Sequence, residues 1–379
     1  MKNIGIYIHI PFCVKKCNYC DFLSAPADNT VKELYLRALQ GQIASFYEED
    51  YNRSHKVTSI YFGGGTPSLV SAEWIGKLLD TVKKFFVVDD NAEISIECNP
   101  GTADEEKLEG YLAAGINRLS IGLQSTNDDI LCTLGRVHDF SQFLQVYKTA
   151  RRVGFDNINI DIMSGLPDQT LEDYSQTLDT VLSLAPEHIS AYSLIIEPGT
   201  PFEHMELNLP DEDTEREMYY LTKRRLAEFG YERYEISNYA KPLKQCRHNN
   251  IYWTGRDYLG FGIGAASLDR GFRYSVVRDI NKYMDLAFKE KWSDMFENVE
   301  KLTDADKMCE YCILGLRRCE GVSLSRFEVK FGRKLLGVYG DVVMKYAQMG
   351  LLRISGDNLR FTDRGIDVSN TVLADFMPD

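Results

Sequence analysis

An open, partial barrel of six strand–helix units, (β/α)6, followed by a smaller helical, winged-helix-like domain, is the α/β fold this sequence predicts. Two observations carry it. Across residues 1–235, short apolar or β-branched runs alternate with amphipathic helical stretches, the pattern of βαβ units and a parallel sheet. From residue 301 the pattern changes to helices that end in a hairpin signal. The predicted strands are Ile4–Ile10, Val57–Phe62, Glu93–Glu97, Arg118–Leu123, Asn157–Met163 and His188–Ile195. Helix-like segments lie near 31–48, 71–86, 104–114, 140–153, 171–184 and 212–229. Six units fall short of the eight of a closed barrel. Residues 236–300 are less regular and rich in aromatics, and read as a connecting region. Residues 301–379 predict helices at 304–318, 323–331 and 337–349, then Leu351–Ser355, a turn at Gly356-Asp357-Asn358, and Leu359–Thr362.

The composition narrows the function. With 379 residues the chain is long for one domain, and 44% hydrophobic content is ample for a core. No run approaches the roughly 18 apolar residues a spanning helix needs, and Ile4–Phe12 reads as a buried strand rather than a signal peptide. The expected location is the cytoplasm. The net charge of -13 argues against nucleic acid as a partner. The 301–379 segment is near charge balance, so its winged-helix shape predicts packing or protein contact rather than DNA binding. Nine cysteines, unevenly placed in a long chain without an export signal, point to a metal site rather than disulfides.

That site is Cys13, Cys17 and Cys20, spaced C-x3-C-x2-C at the end of the first strand. Thiolates are the usual ligands of iron–sulfur clusters, and three of them within eight residues can hold three irons of a cubane. The fourth iron is then open to a ligand, as reactive metal sites require. Spacing alone leaves zinc as an alternative, with His9 as a fourth donor. Polar residues close the later strands: Glu97 the third, Gln124 the fourth and Asp161 the fifth, at the sheet ends where such folds place ligands. Gly63-Gly64-Gly65-Thr66 follows the second strand, and its glycines let the backbone approach a ligand closely. Arg136 is placed to take a carboxylate bidentately. Cys98, Cys132, Cys246, Cys309, Cys312 and Cys319 read as core thiols.

With Tyr19 just before the last cysteine, the cluster motif resembles the radical S-adenosylmethionine (SAM) superfamily. More closely, the chain resembles the oxygen-independent coproporphyrinogen III oxidase group, and within it the HemW-type heme chaperones. Matching stretches are 7–13, 63–68, 96–100, 121–125, 161–167 and the HNNxYW segment His248–Trp253, so the resemblance spans essentially the whole chain. It implies a [4Fe–4S] cluster on Cys13, Cys17 and Cys20 and SAM held by Tyr7, Tyr19, Gly64, Gly65, Thr66, Glu97, Gln124, Arg136 and Asp161. It also implies reductive cleavage of SAM, with a flavodoxin or ferredoxin as electron donor.

Two departures from the oxidases are visible. Phe22 stands where they carry a fourth cysteine, and Tyr7 lies almost at the first residue, without the segment that precedes the matching tyrosine in them. The HNNxYW segment instead resembles the heme-handling proteins, with His248 as a candidate axial ligand, since neutral imidazole suits heme iron. The expected function is therefore to bind heme and deliver it to an acceptor apoprotein. The alternative is oxidative decarboxylation of coproporphyrinogen III.

Overall fold

The computed structural model describes residues 1–377. Six parallel strands stand in chain order: β1 (Lys2–Ile10), β2 (His55–Gly64), β3 (Val88–Cys98), β4 (Arg118–Gln124), β5 (Ile158–Ser164) and β6 (His188–Ser193). They are the six units expected, and the barrel does not close. Both edges are extended, on one side beginning with the end of the segment expected to be barrel and otherwise by the stretch expected only to connect. β7 (Glu232–Arg233) and β8 (Asn238–Ala240) continue antiparallel past β6. β9 (Tyr258–Phe261) pairs parallel with β1, and β10 (Ala266–Asp269), β11 (Phe272–Val276) and β12 (Phe296–Lys301) follow antiparallel, making one 12-stranded sheet. These added strands are only two to six residues long, too short for a clear period-2 pattern in sequence.

The parallel strands alternate in a way that explains the site. Ile4, Ile6, Ile8 and Ile10 of β1, Ile94 and Ile96 of β3, Leu119, Ile121 and Leu123 of β4, and Ile158, Ile160 and Ile162 of β5 are all buried in the main core. The residues between them on the opposite face are polar: Tyr7 and His9, Glu93, Ser95 and Glu97, Arg118 and Ser120, Asn159 and Asp161. Successive side chains on a strand point to opposite faces. The apolar set therefore packs under the helices, and the polar set lines the lumen.

The helices start on residues whose side chains cap free amides: Asp28, Ser71, Asp104, Asp139, Thr170, Asp211 and Thr303. At Asp139, Thr170 and Thr303 the bond is reciprocal with Gln142, Asp173 and Asp306. Observed helices 72–85, 105–114, 140–153, 171–184 and 212–228 fall within a residue of expectation.

The C-terminal unit has its own core, including Met308, Cys312, Leu316, Phe327, Val343 and Leu359. Its helices Asp304–Leu316, Leu324–Phe331 and Leu335–Gln348 precede a hairpin of β14 (Leu352–Ser355) and β15 (Asn358–Phe361), which also pairs with β13 (Val322–Ser323). Cys309 and Cys312 are buried in this unit, as expected; Cys132 is exposed and is no core thiol. Among the described residues no helix is long and apolar enough to cross a membrane.

Candidate cluster and cofactor site

The cysteine loop leaves the end of β1 and is fixed at several points. Cys13 N donates to Ala25 O and Ala25 N to Pro11 O, while Phe12 is buried against Tyr35. Asn18 is the anchor at the far end. Its amide N and its Nδ2 donate to Leu134 O and Thr133 O, each at 2.9 Å, and its carbonyl accepts from Phe202 N at 3.0 Å. Cys13, Cys17 and Cys20 are half-buried free thiols on one wall of a cavity of about 340 Å³.

The three sulfurs are not gathered as donors to a single ion. A zinc ion bound at 2.3 Å needs its sulfurs about 3.8 Å apart. Among the described residues the compact donor trio is His55, Asp257 and Asp269, and the three sulfurs do not all come within 4.8 Å of one another. His9 is also unavailable as a fourth zinc donor: Nδ1 meets the Tyr7 hydroxyl at 3.0 Å and Nε2 the Leu23 carbonyl at 2.9 Å.

The glycine loop lies against the cysteine loop. A Cβ on Gly65 would sit 2.7 Å from Phe12 O and 3.0 Å from Cys13 Sγ. Gly64 has φ +119, and a Cβ there would meet the His9 ring at 2.6 Å. Only glycine fits either place. The close approach the glycines permit is to neighbouring protein backbone, and the loop's amides are used within the fold. Gly64 N donates to Glu97 Oε2, Gly65 N to Ile10 O and Thr66 N to Phe12 O. The loop serves by letting two backbones touch, and Thr66 Oγ1 faces Cys13 Sγ at 3.6 Å.

The opposite wall is acidic and cationic by turns. Glu97 accepts from Tyr61 Oη at 3.0 Å and from Gly64 N at 3.1 Å. Burial, and then the nearby Asp161 carboxylate, push its pKa up to about 7. Burial also raises Asp161, which accepts from Asn159 Nδ2 at 2.8 Å and Ser120 Oγ at 3.3 Å. Gln124 ends β4 at φ +66, beside a register shift against β5. This uncommon conformation for a non-glycine residue goes with a buried Oε1 that has no partner. Arg136 donates from Nη1 to Cys17 Sγ at 3.6 Å and from Nη2 to the Gly122 carbonyl at 3.0 Å.

The cavity thus brings together Cys13, Cys17, Cys20, Tyr19, Gly64, Gly65, Thr66, Glu97, Gln124, Arg136 and Asp161. Two residues of the expected set do not line it. The Tyr7 ring stacks on Tyr61 in the layer below. His248 lies deeper still, on the helix Arg247–Trp253, which the sequence did not predict. Its ring is 1% exposed; Nδ1 meets Ser59 Oγ at 2.9 Å and Nε2 the Tyr252 hydroxyl at 2.8 Å. Both nitrogens are engaged, so in this arrangement His248 is not offered to a heme iron. The helix plugs the lumen, its first amides held by Glu93, and presents only Asn249 to the cavity.

Comparison with known proteins agrees with this geometry. The sequence profile of the radical SAM superfamily matches residues 7–181, and that of the HemN C-terminal domain residues 302–368. Relatives named heme chaperone HemW are 36% identical in Bacillus subtilis, over 98% of both chains, and 37% identical in Haemophilus influenzae, over 100% of this chain and 99% of the relative. The chain belongs to the HemW family of radical SAM proteins.

A third HemW, from Escherichia coli, is 41% identical over 70% of each chain. Coproporphyrinogen III oxidase (HemN) from Escherichia coli superposes with a TM-score of 0.86 over 99% of this chain and 90% of its own, at 23% identity, which shows a shared fold. Membership of a HemW family within the radical SAM superfamily implies a [4Fe–4S] cluster and SAM, and the residues present fit both. The three thiols share one wall, and Glu97, Asp161 and Gln124 face it with acceptor atoms suited to the cationic and hydroxylated parts of SAM. Sequence reading passed over Arg118, Ser120, Asn159, Ser190 and Tyr192, which also line the cavity. The signal was available: all but Tyr192 are polar residues next to buried isoleucine or leucine on their strands.

Proposed function

We propose that this chain is a heme chaperone, which binds heme and delivers it to an acceptor protein, and that its cavity holds a cluster on Cys13, Cys17 and Cys20 with SAM beside it. The observation that carries this reading is the full-length relation to proteins named heme chaperone HemW. The cavity mouth supports it. Val14 (55% exposed) and Phe22 (59%) on the cysteine loop and Tyr192 (41%) at the end of β6 form an apolar rim past which the edge of a flat macrocycle can reach into the lumen. The heme acceptor, the cytoplasmic location and a flavodoxin- or ferredoxin-type donor are parts of the same proposal.

A reduced cluster held on Cys13, Cys17 and Cys20 would supply the electron for cleaving the sulfonium carbon–sulfur bond of SAM. The chain's own residues do the rest. Arg136 receives the methionyl carboxylate beside Cys17, Glu97 and Asp161 receive the cationic and ribose groups, and the Tyr7–Tyr61–His248 stack closes the floor against water.

The test is anaerobic reconstitution followed by two assays: heme transfer to an apoprotein, and SAM-dependent decarboxylation of coproporphyrinogen III read by mass spectrometry. Heme transfer without loss of carboxyl groups is the expected result. Catalytic decarboxylation would replace this reading with the oxidase.

Glu97 makes a pH prediction. Its pKa of about 7 means that below this pH a bound cation must displace a proton. SAM affinity is therefore expected to rise by up to tenfold per pH unit as the pH climbs toward about 7, and then to level. In the ligand-free chain the same raised pKa costs stability as pH rises from the usual carboxylate range through 7, because the fold favours the protonated form. Calorimetric titration of SAM between pH 5.5 and 8.5 (roughly the span around that pKa) checks it. Glu97→Gln should flatten the profile, and an unchanged slope in that variant would remove Glu97 from the assignment.

A further inference from the structure

Arg118, the first residue of β4, is among the largest fully buried side chains of the chain, at 2% exposure. It has five N–H donors and a permanent charge. Yet among the described residues its guanidinium makes no ion pair and no hydrogen bond, Nε is buried without a partner, and the side chain lines the cavity. Buried charges are normally paired.

The carboxylates in its neighbourhood are committed elsewhere. Glu93 accepts from the backbone amides of Arg247 and His248, Glu97 from Tyr61 and Gly64, and Asp161 from Asn159 and Ser120. Beside Arg118 in register on β3 is Ser95, whose buried Oγ also has no partner. A guanidinium and a hydroxyl, adjacent and unsatisfied at the base of the lumen while the carboxylates around them are committed, form a receptor for an anion.

We propose that Arg118 is a carboxylate-binding residue at the base of the lumen, and that the carboxylate is a propionate of the tetrapyrrole. The second half rests on the heme-handling reading above. Guanidinium and carboxylate match bidentately, and a dry site makes that pair strong. The alternative source is the methionyl carboxylate of SAM. Arg136 disfavours it: its guanidinium bonds Gly122 O and Cys17 Sγ at the cluster end, about 13 Å along β4 from Arg118 at 3.3 Å per residue.

The test uses the full chain with its cluster, as wild type and as Arg118→Met, of similar length and uncharged. Four probes are titrated: SAM, sodium propionate, ferric heme and heme dimethyl ester, which lacks free propionates. Melting temperature is read alongside. Propionate should raise the melting temperature of the wild type and not of the variant. Heme should bind the variant at least tenfold more weakly and the dimethyl ester should bind both equally. SAM is titrated well above the Glu97 pKa, because loss of the Arg118 charge raises Glu97 and Asp161, and its affinity there should change less than that of heme. Without ligand the variant should melt within a few degrees of the wild type, since the guanidinium makes no hydrogen bond or ion pair and meets Glu93, Glu97 and Asp161 only through its field.

A variant that loses SAM but keeps heme overturns the proposal in favour of the cofactor's own carboxylate. A variant that melts far lower overturns it in favour of a structural role. If the wild type binds neither heme nor its ester, the heme reading falls by itself. The propionate arm then decides the carboxylate site alone, and no propionate shift in the wild type ends it.

Discussion

Alanine in place of Cys13, Cys17 or Cys20 is expected to take iron from about four per chain to fewer than one after anaerobic reconstitution. SAM affinity should fall by more than tenfold, with the fold intact. The geometry separates these effects. The thiols are half-buried at a cavity wall and contribute little to the core. The loop that carries them is held by backbone bonds at Cys13 and by Asn18, none of which involves a thiol. Iron and sulfide analysis, thermal melting and SAM titration on one preparation read all three. Cys309→Ala is the control, because that thiol is buried in the C-terminal unit, far along the chain from the loop. Retention of a full cluster by Cys17→Ala would mean that another ligand replaces it and that the loop is not the cluster site. Collapse of the melting transition in all three variants would make the loop structural. Asn18→Ala should produce a partial version, with the cysteines present and the loop freed from Leu134, Thr133 and Phe202, and therefore reduced iron occupancy.

The parts of this molecule that could be read from sequence are those set by local chemistry. The six parallel strands and their helices follow from period and capping residues, so helices such as 140–153 and 171–184 match expectation end to end. The cysteine loop and the polar Glu97, Gln124 and Asp161 were legible because thiol spacing and polar residues on apolar strands are local signals, although Asp161 lies midway along Ile158–Ser164 and does not close that strand. Relations between distant segments were not. β7 to β12 are short strands that exist by pairing with the edges at β6 and β1, and nothing inside Tyr258–Phe261 announces that partner. Nothing in Gly64, Gly65 and Thr66 tells where their amides go: the neighbouring backbone of residues 10–12 uses two of them and Glu97 the third. Arg118 in sequence is an ordinary basic residue at a strand start. Its meaning lies in the partners it lacks, which only the folded lumen reveals.

His248 is the sharpest case of that difference, and it gives the second large effect. As a motif residue it suits an axial heme ligand; in the fold it is part of the lumen plug. Its ring stacks on Tyr61 at 5.2 Å, bridges the hydroxyls of Ser59 and Tyr252, and packs where a Cβ on Gly5 would lie 3.2 Å away. Burial, reinforced by the Arg118 charge, lowers its pKa to about 3, so it stays neutral at physiological pH. Because the folded pKa lies below the ordinary value, the stability it contributes is present above about pH 6.5 and is lost as the pH falls toward 3. His248→Ala leaves a void and two unpaired buried hydroxyls, a cost of about 2–4 kcal/mol. The melting temperature should therefore drop by several degrees. His248→Gln, which keeps hydrogen-bonding atoms in the same space but has no imidazole, should lose less. Heme should bind both variants with an unshifted Soret band and an affinity within about threefold of the wild type, a difference of less than 1 kcal/mol. The decisive comparison is the glutamine variant. If it melts like the wild type but shifts the Soret band and loses heme, the helix Arg247–Trp253 must swing out to ligate iron. The plug would then be a gate.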